Sequence, residues 1–200
     1  MPLENLTIPE QSAFEVRFSF IKDETLRTNT AITFRYIFFL IKLEQETALP
    51  GPIIYSLYKD MIVQTGAVVE SCVHYTLKYL INEGKIKSSD VMESEWREEK
   101  CVILETLDNG DKQVCGVTRH KAPLNLTKYT SFMDLNRACK RAGIYNEVAF
   151  TKAEALREAR NKIHLAGLAE VDDIYTKEDV DKFFEYANTI LTCLEDKLKA

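Results

Sequence analysis

The apolar positions of this chain fall mostly at helical spacing, with one central stretch that alternates as strands do. Residues 1–12 have no clear period and read as an extended arm. Phe14, Phe18 and Ile21, then Ile32, Ile37, Phe38 and Ile41, fit buried helical faces, with residues 25–30 as a weaker interval between them. A strand over 14–21 is the alternative, because Phe14, Val16, Phe18 and Phe20 also alternate. Leu49-Pro50-Gly51-Pro52 then breaks the pattern and opens a helix, since proline is tolerated in a first turn and not inside. From 53 to 82 the residues Ile54, Leu57, Met61, Val68, Cys72, Val73, Leu77 and Leu80 lie near one face, and Gly84 supplies a C-cap. A helix that long suits the centre of a bundle.

Residues 85–126 abandon the helical period. Two β-rich runs, 101–107 and 112–118, flank Asp108-Asn109-Gly110-Asp111, and an Asn-Gly centre is the strongest short signal for a hairpin. With Asn109 and Gly110 as the turn, Cys101 faces Thr118 and Cys115 faces Leu104. The two thiols are then expected on opposite faces, unable to join.

Helices resume near Ser131, with Phe132, Leu135, Cys139 and Ile144 apolar and Gly143 as the stop. Thr151-Lys152-Ala153-Glu154 has the form of a capping box and places the start of the next helix there, with Gly167 ending it. Thr176 and Asp179 cap a last helix, whose Val180, Phe183, Ala187, Ile190, Leu191 and Leu194 form a broad apolar stripe. The reading is a mainly α protein: one helical-bundle domain over 1–200, with a hairpin-containing insertion at about 85–126.

Composition narrows the setting. With 200 residues, 46% of them apolar, the chain can bury one sizeable core. Its most apolar run, 37–41, is flanked by Arg35 and Lys42 and falls short of the ~20 residues a spanning helix needs, so no membrane partner is expected. Glu4 and Glu10 stand where a signal peptide would carry basic and then apolar residues, and the chain reads as cytoplasmic. Five scattered cysteines without a Cys-x-x-Cys pair suggest reduced thiols, not a disulfide framework or a zinc site, and no metal or cofactor is expected. The net charge of -5 excludes a broad electrostatic nucleic-acid surface, so any RNA contact must be local.

The densest chemistry lies in Leu156-Arg157-Glu158-Ala159-Arg160-Asn161-Lys162-Ile163-His164. At ~3.6 residues per turn, Arg157 and His164 differ by about 20° around the axis, and Arg160 stands one turn before His164. Asn161 completes a stripe of Arg, Arg, Asn and His beside the apolar centre formed by Leu156, Ala159 and Ile163. Spacing alone leaves two readings open. In one, the arginines snorkel from the core edge onto carboxylates and His164 caps the last turn. In the other, the stripe is an anion and proton-transfer site.

The segment 156–165, before a final amphipathic helix and after a long helix carrying Glu70, resembles the signature of the HEPN superfamily. These are small helical, typically dimeric domains whose Arg-x4-6-His motif marks metal-independent ribonucleases of prokaryotic toxin, antiviral and RNA-processing systems. Arg157 and His164 match the family spacing. Arg160 followed by the polar Asn161 matches its residue preference, but only three residues separate it from His164, so Arg157 is preferred on family spacing, with Arg160 close enough to share the work. The resemblance implies that His164 moves a proton of the ribose 2′-hydroxyl or the 5′-oxygen, while Arg157 or Arg160 holds the phosphate. It assigns Asn161 and Glu70 supporting roles and no cofactor. One motif supplies few proton carriers, so a C2 homodimer placing two copies face to face is expected, with RNA as substrate and a cognate antitoxin as a further partner. A non-catalytic module that binds RNA, a nucleotide or another protein is the second reading.

The remaining candidates each have a plainer role. His74 reads as a packing residue among apolar neighbours. Arg119, His120 and Lys121 form a small basic cluster at the hairpin exit, either a solvated turn or an RNA contact. Trp96 and Tyr129 could stack on bases or pack.

Overall fold

One 32-residue helix organises the fold. The computed structural model describes residues 7–110, 112–162 and 175–199, which form seven α-helices and a two-stranded antiparallel hairpin. In chain order these are α1 (Gln11–Arg17), α2 (Glu24–Glu46), α3 (Gly51–Asn82), α4 (Ser88–Val91), β1 (Ser94–Leu107), β2 (Lys112–Pro123), α5 (Phe132–Arg141), α6 (Glu147–Asn161) and α7 (Lys177–Lys199). The central helix α3 packs against α2, α5, α6 and α7, and buries Met61, Val69, Cys72, Val73, Leu77 and Leu80 among them. Its start at Pro50 and its end agree with the expected signals. Gly84 has φ +68°, with Lys85 N–H donating to Leu80 O at 2.9 Å and Gly84 N–H to Ile81 O at 3.1 Å, the paired bonds of a Schellman stop.

Near the N-terminus the helical reading prevails over the strand. Phe14, Phe18 and Ile21 are buried while Val16 is 73% exposed, as a helix and its closing turn require. The helix begins at Gln11, within the stretch expected to be an extended arm. The weaker interval at 25–30 is not a break either. Asp23 accepts from Leu26 N–H and caps α2 ahead of it, and α2 runs unbroken through Thr25 and Thr30.

Two further corrections concern caps and register. The N-cap of α6 is Asn146, whose Oδ1 accepts from Ala149 N–H at 2.9 Å, ahead of the expected Thr151. Thr151 instead bonds back to Glu147 O inside the helix. At its other end α6 closes at Asn161, where Lys162 N–H donates to Glu158 O and Ala159 O, short of the stop expected at Gly167, which itself lies outside the described residues. The Thr176 and Asp179 cap is as expected, each side chain accepting the other's backbone N–H.

In the hairpin, Asn109 and Gly110 both take positive φ, 56° and 104°, as the turn requires. The strands extend well beyond the expected runs, so His120 lies within β2 and not in an exit turn. Bulges between Glu98 and Lys100 and between Ile103 and Glu105 shift the pairing. Cys101 therefore faces Val117, and Cys115 faces Ile103. The two strands pack chiefly on each other and stand exposed along β1. Their foot is fixed to the bundle by Glu93: its backbone O accepts from Leu124 N–H at 2.7 Å, and its carboxylate from Arg141 at 2.8 Å and Arg137 at 3.2 Å.

No described helix is long and apolar enough to cross a membrane.

Candidate functional site

Helices α3 and α6 touch where a glycine meets an arginine. Gly66 has no Cβ, and one placed there would lie 2.8 Å from Arg160 Cβ and 2.9 Å from its Cγ. The arginine stem therefore lies on the α3 backbone. One turn further along α3, Glu70 receives the guanidinium, Nη2 to Oε2 at 2.8 Å. Arg160 Nη1 also reaches Asn161 Oδ1 at 3.3 Å.

Arg157 is placed differently. Its Nε donates to Glu154 at 3.0 Å and its Nη2 to Glu158 at 3.3 Å, and its side chain is 17% exposed against 36% for Arg160. Glu154 in turn accepts from the buried Asn136 of α5 at 2.7 Å. The two arginines of the expected stripe are thus divided: Arg157 belongs to a carboxylate network on the α5 side, Arg160 to a pair with α3. Asn161 is exposed at the end of α6. His164 lies outside the described residues.

Glu70 and Arg160 line a cleft of about 390 Å³ together with Ser71, His74, Lys128 and Thr130. The His74 ring is partly exposed there, and its Nε2–H donates to Thr127 O at 3.0 Å. Since a carbonyl only accepts, Nε2 is the donor of that bond. His74 also lines an adjoining cleft of about 420 Å³ with Lys22, Lys78, Tyr75 and Tyr79, whose two rings stack at 6.0 Å.

Sequence reasoning assigned His74 to packing and did not single out Lys128. The signal for His74 was present: Glu70, Ser71, His74 and Lys78 recur at helical spacing and form a polar strip on an otherwise apolar helix. Nothing local marks Lys128, which reaches the cleft from the segment between β2 and α5.

The basic hairpin cluster does not form one patch. Arg119 pairs with Glu98 at 2.8 Å and Lys121 lies 5.3 Å over the Trp96 ring, while His120 opposes Arg97 on the other face. Tyr129 is 82% exposed, with Lys128 5.0 Å over its ring.

A third cavity, about 300 Å³, lies among α1, α2, α3 and α7 with walls of Phe34, Ile37, Val68 and Leu191. Its charged edge, Arg17, is taken up by Glu195. Among the described residues no group of three or more His, Cys, Asp or Glu side chains is arranged to hold a metal ion.

Chemically, the α3–α6 cleft offers a forked cation held by a replaceable carboxylate. A partly exposed ion pair is worth only about 0–1 kcal/mol, so an entering phosphate can take the guanidinium from Glu70 at little cost. Lys128 adds charge and His74 an imidazole. In comparisons with protein-family profiles, curated proteins and solved structures, none matches the chain.

Proposed function

We propose that the chain is a HEPN-like domain directed at RNA, acting as a metal-independent endoribonuclease with its Arg/His site at the interface of a homodimer. One observation carries the reading: Arg160, four residues before His164 in sequence, turns its guanidinium into a cleft that His74 and Lys128 also line. The adjoining cleft extends this path with Lys22, Lys78 and the Tyr79 ring, a local track of cations and an aromatic face of the kind a single strand follows. Such a track suits a chain whose net charge of -5 allows RNA contact only locally.

In this reading His164 removes the proton of a ribose 2′-hydroxyl, whose oxygen attacks the adjacent phosphorus. Arg160 stabilises the added negative charge. A second imidazole, from the paired copy, protonates the departing 5′-oxygen, leaving a 2′,3′-cyclic phosphate. Arg160 is preferred over Arg157 because Arg157 is already bound by two carboxylates. The resemblance to the superfamily supports a cytoplasmic defence or toxin setting with a cognate antitoxin.

A substrate series tests this directly. Native RNA is expected to be cut in chelator with cyclic phosphate ends, and the same strand with 2′-deoxyribose at the cut site is expected to resist. Equal cleavage of both would remove the mechanism. The second reading, a non-catalytic RNA- or nucleotide-binding or protein-interaction module, is favoured by the carboxylates that neutralise both arginines. It predicts RNA retention without any cleavage.

A further inference from the structure

We propose that Cys101 and Cys115 form a redox modification site: a dithiol across the exposed hairpin that a low-molecular-weight disulfide, such as oxidised glutathione, converts to an intrachain disulfide. The register carries the argument. From Cys101↔Val117 through Val102↔Gly116 to Ile103↔Cys115 the pairing is unbroken, so Cys101, Val117, Ile103 and Cys115 share one face. The two cysteines are diagonal neighbours on it.

The opposite face is fixed independently. A Cβ at Gly116 would lie 3.0 Å from Leu104 Cδ1, so the Leu104 side chain covers Gly116 on the side away from the thiols. Leu104 falls at the bulge between Ile103 and Glu105. Without that irregularity the plain turn register would send the thiols to opposite faces.

Diagonal neighbours lie roughly 7–8 Å apart at Cα with Cβ atoms closer, just beyond the ~6.8 Å upper end for a disulfide. The small closure needed falls on a hairpin bulged on both sides of the pair and packed chiefly on itself. The Cys101 thiol is held above its ordinary range, first by a hydrogen bond with Cys115 and then by the Cys115 charge, as adjacent sulfurs require.

Access makes the reaction selective. Cys101 and Cys115 are exposed, whereas Cys72 and Cys139 are buried. Burial pushes the Cys72 thiol up to about 12, and that of Cys139 higher still. The thiolate is the nucleophile, so those two are withheld from exchange.

In the first step one hairpin thiol, having lost its proton, attacks a sulfur of the small disulfide, forming a mixed disulfide and releasing one thiolate. The second cysteine then loses its proton and attacks the protein sulfur of that mixed disulfide, expelling the second small thiolate. The protein dithiol is oxidised to one S–S bond, and the reagent is reduced to two thiols. The bond lies on the face that also carries Arg119 and Lys121, and fixes the register of the strand that presents them.

The test uses the full chain in a glutathione buffer with the oxidised form in excess, read by intact mass and peptide mapping. Wild type is expected to lose the mass of two hydrogens, to yield one peptide pair joining Cys101 to Cys115, and to carry glutathione at neither. Cys101→Ser and Cys115→Ser are each expected to retain one glutathione on the remaining hairpin cysteine. Cys193→Ser is expected to react as wild type. Separate glutathione adducts at both hairpin cysteines of wild type, no reaction at either, or a link through Cys193 would each overturn the proposal.

Discussion

Gly66 and Arg160 set the closest approach of α3 and α6: a Cβ on the glycine would lie 2.8 Å from the Cβ of the arginine. Those atoms sit next to the backbone of each helix and cannot swing aside. In an exposed helix, Gly→Ala gains about 1 kcal/mol of propensity. Here the overlap opposes it, and overpacking costs about 1–3 kcal/mol. Gly66→Ala is therefore expected to lower the urea midpoint and to weaken RNA binding by displacing Arg160. A raised midpoint would contradict the packing account.

The two arginines of α6 are expected to separate stability from binding. Arg157→Ala strips Glu154 of its partner beside the buried Asn136, and a cost of about 1–2 kcal/mol in unfolding free energy is expected. Arg160→Ala breaks a partly exposed pair, costing under about 1 kcal/mol while removing the guanidinium proposed to hold phosphate. Urea unfolding and RNA affinity measured on both variants check this. The account fails if Arg157→Ala is the one that loses RNA with its stability intact.

Glu93 ties the hairpin foot to α5, and its carboxyl is held below the usual range. The Arg141 hydrogen bond is the chief cause, aided by the Arg137 and Arg141 charges and opposed by desolvation. A carboxyl lowered on folding contributes stability that is complete above its unfolded value and lost as pH falls through its folded one. Wild type is thus expected to exceed Glu93→Gln near neutrality, with the difference closing on acidification. Unfolding curves at a series of pH values measure it; a constant gap would contradict the assignment.

Lys78 stands in the adjoining cleft, exposed and two turns along α3 from Glu70. As a phosphate contact it is expected to act without regard to base sequence. Lys78→Ala should weaken RNA binding and reduce the slope of log affinity against log salt by about 1. An unchanged slope would take the RNA path away from that cleft.

How much of this was legible in sequence follows from the range of each interaction. The ends of α3, the Asn109-Gly110 turn and the Thr176 cap are written in adjacent residues and could be read. Local signals also mislead: Thr151 and Glu154 fit a capping box, yet Asn146 caps the helix earlier in the chain, because the buried Ala149 and the core behind it extend the helix. Bulges leave no compositional mark, so the hairpin thiols seemed to face apart. The stripe of arginines was visible, but its division was not. That depends on Glu70, which lies 90 residues from Arg160 in sequence, and on the room left at Gly66. Glu70 itself was expected in a supporting role, whereas His74 was set aside as packing.

The central claim is best tested by single-turnover cleavage of one RNA in chelator by wild type, His164→Ala and Arg160→Ala, with folding of each verified by circular dichroism. The account predicts that wild type cuts, that His164→Ala loses cleavage by at least the ~10²-fold a general acid or base supplies, and that Arg160→Ala falls by a similar factor. Cleavage unchanged by either substitution would contradict it.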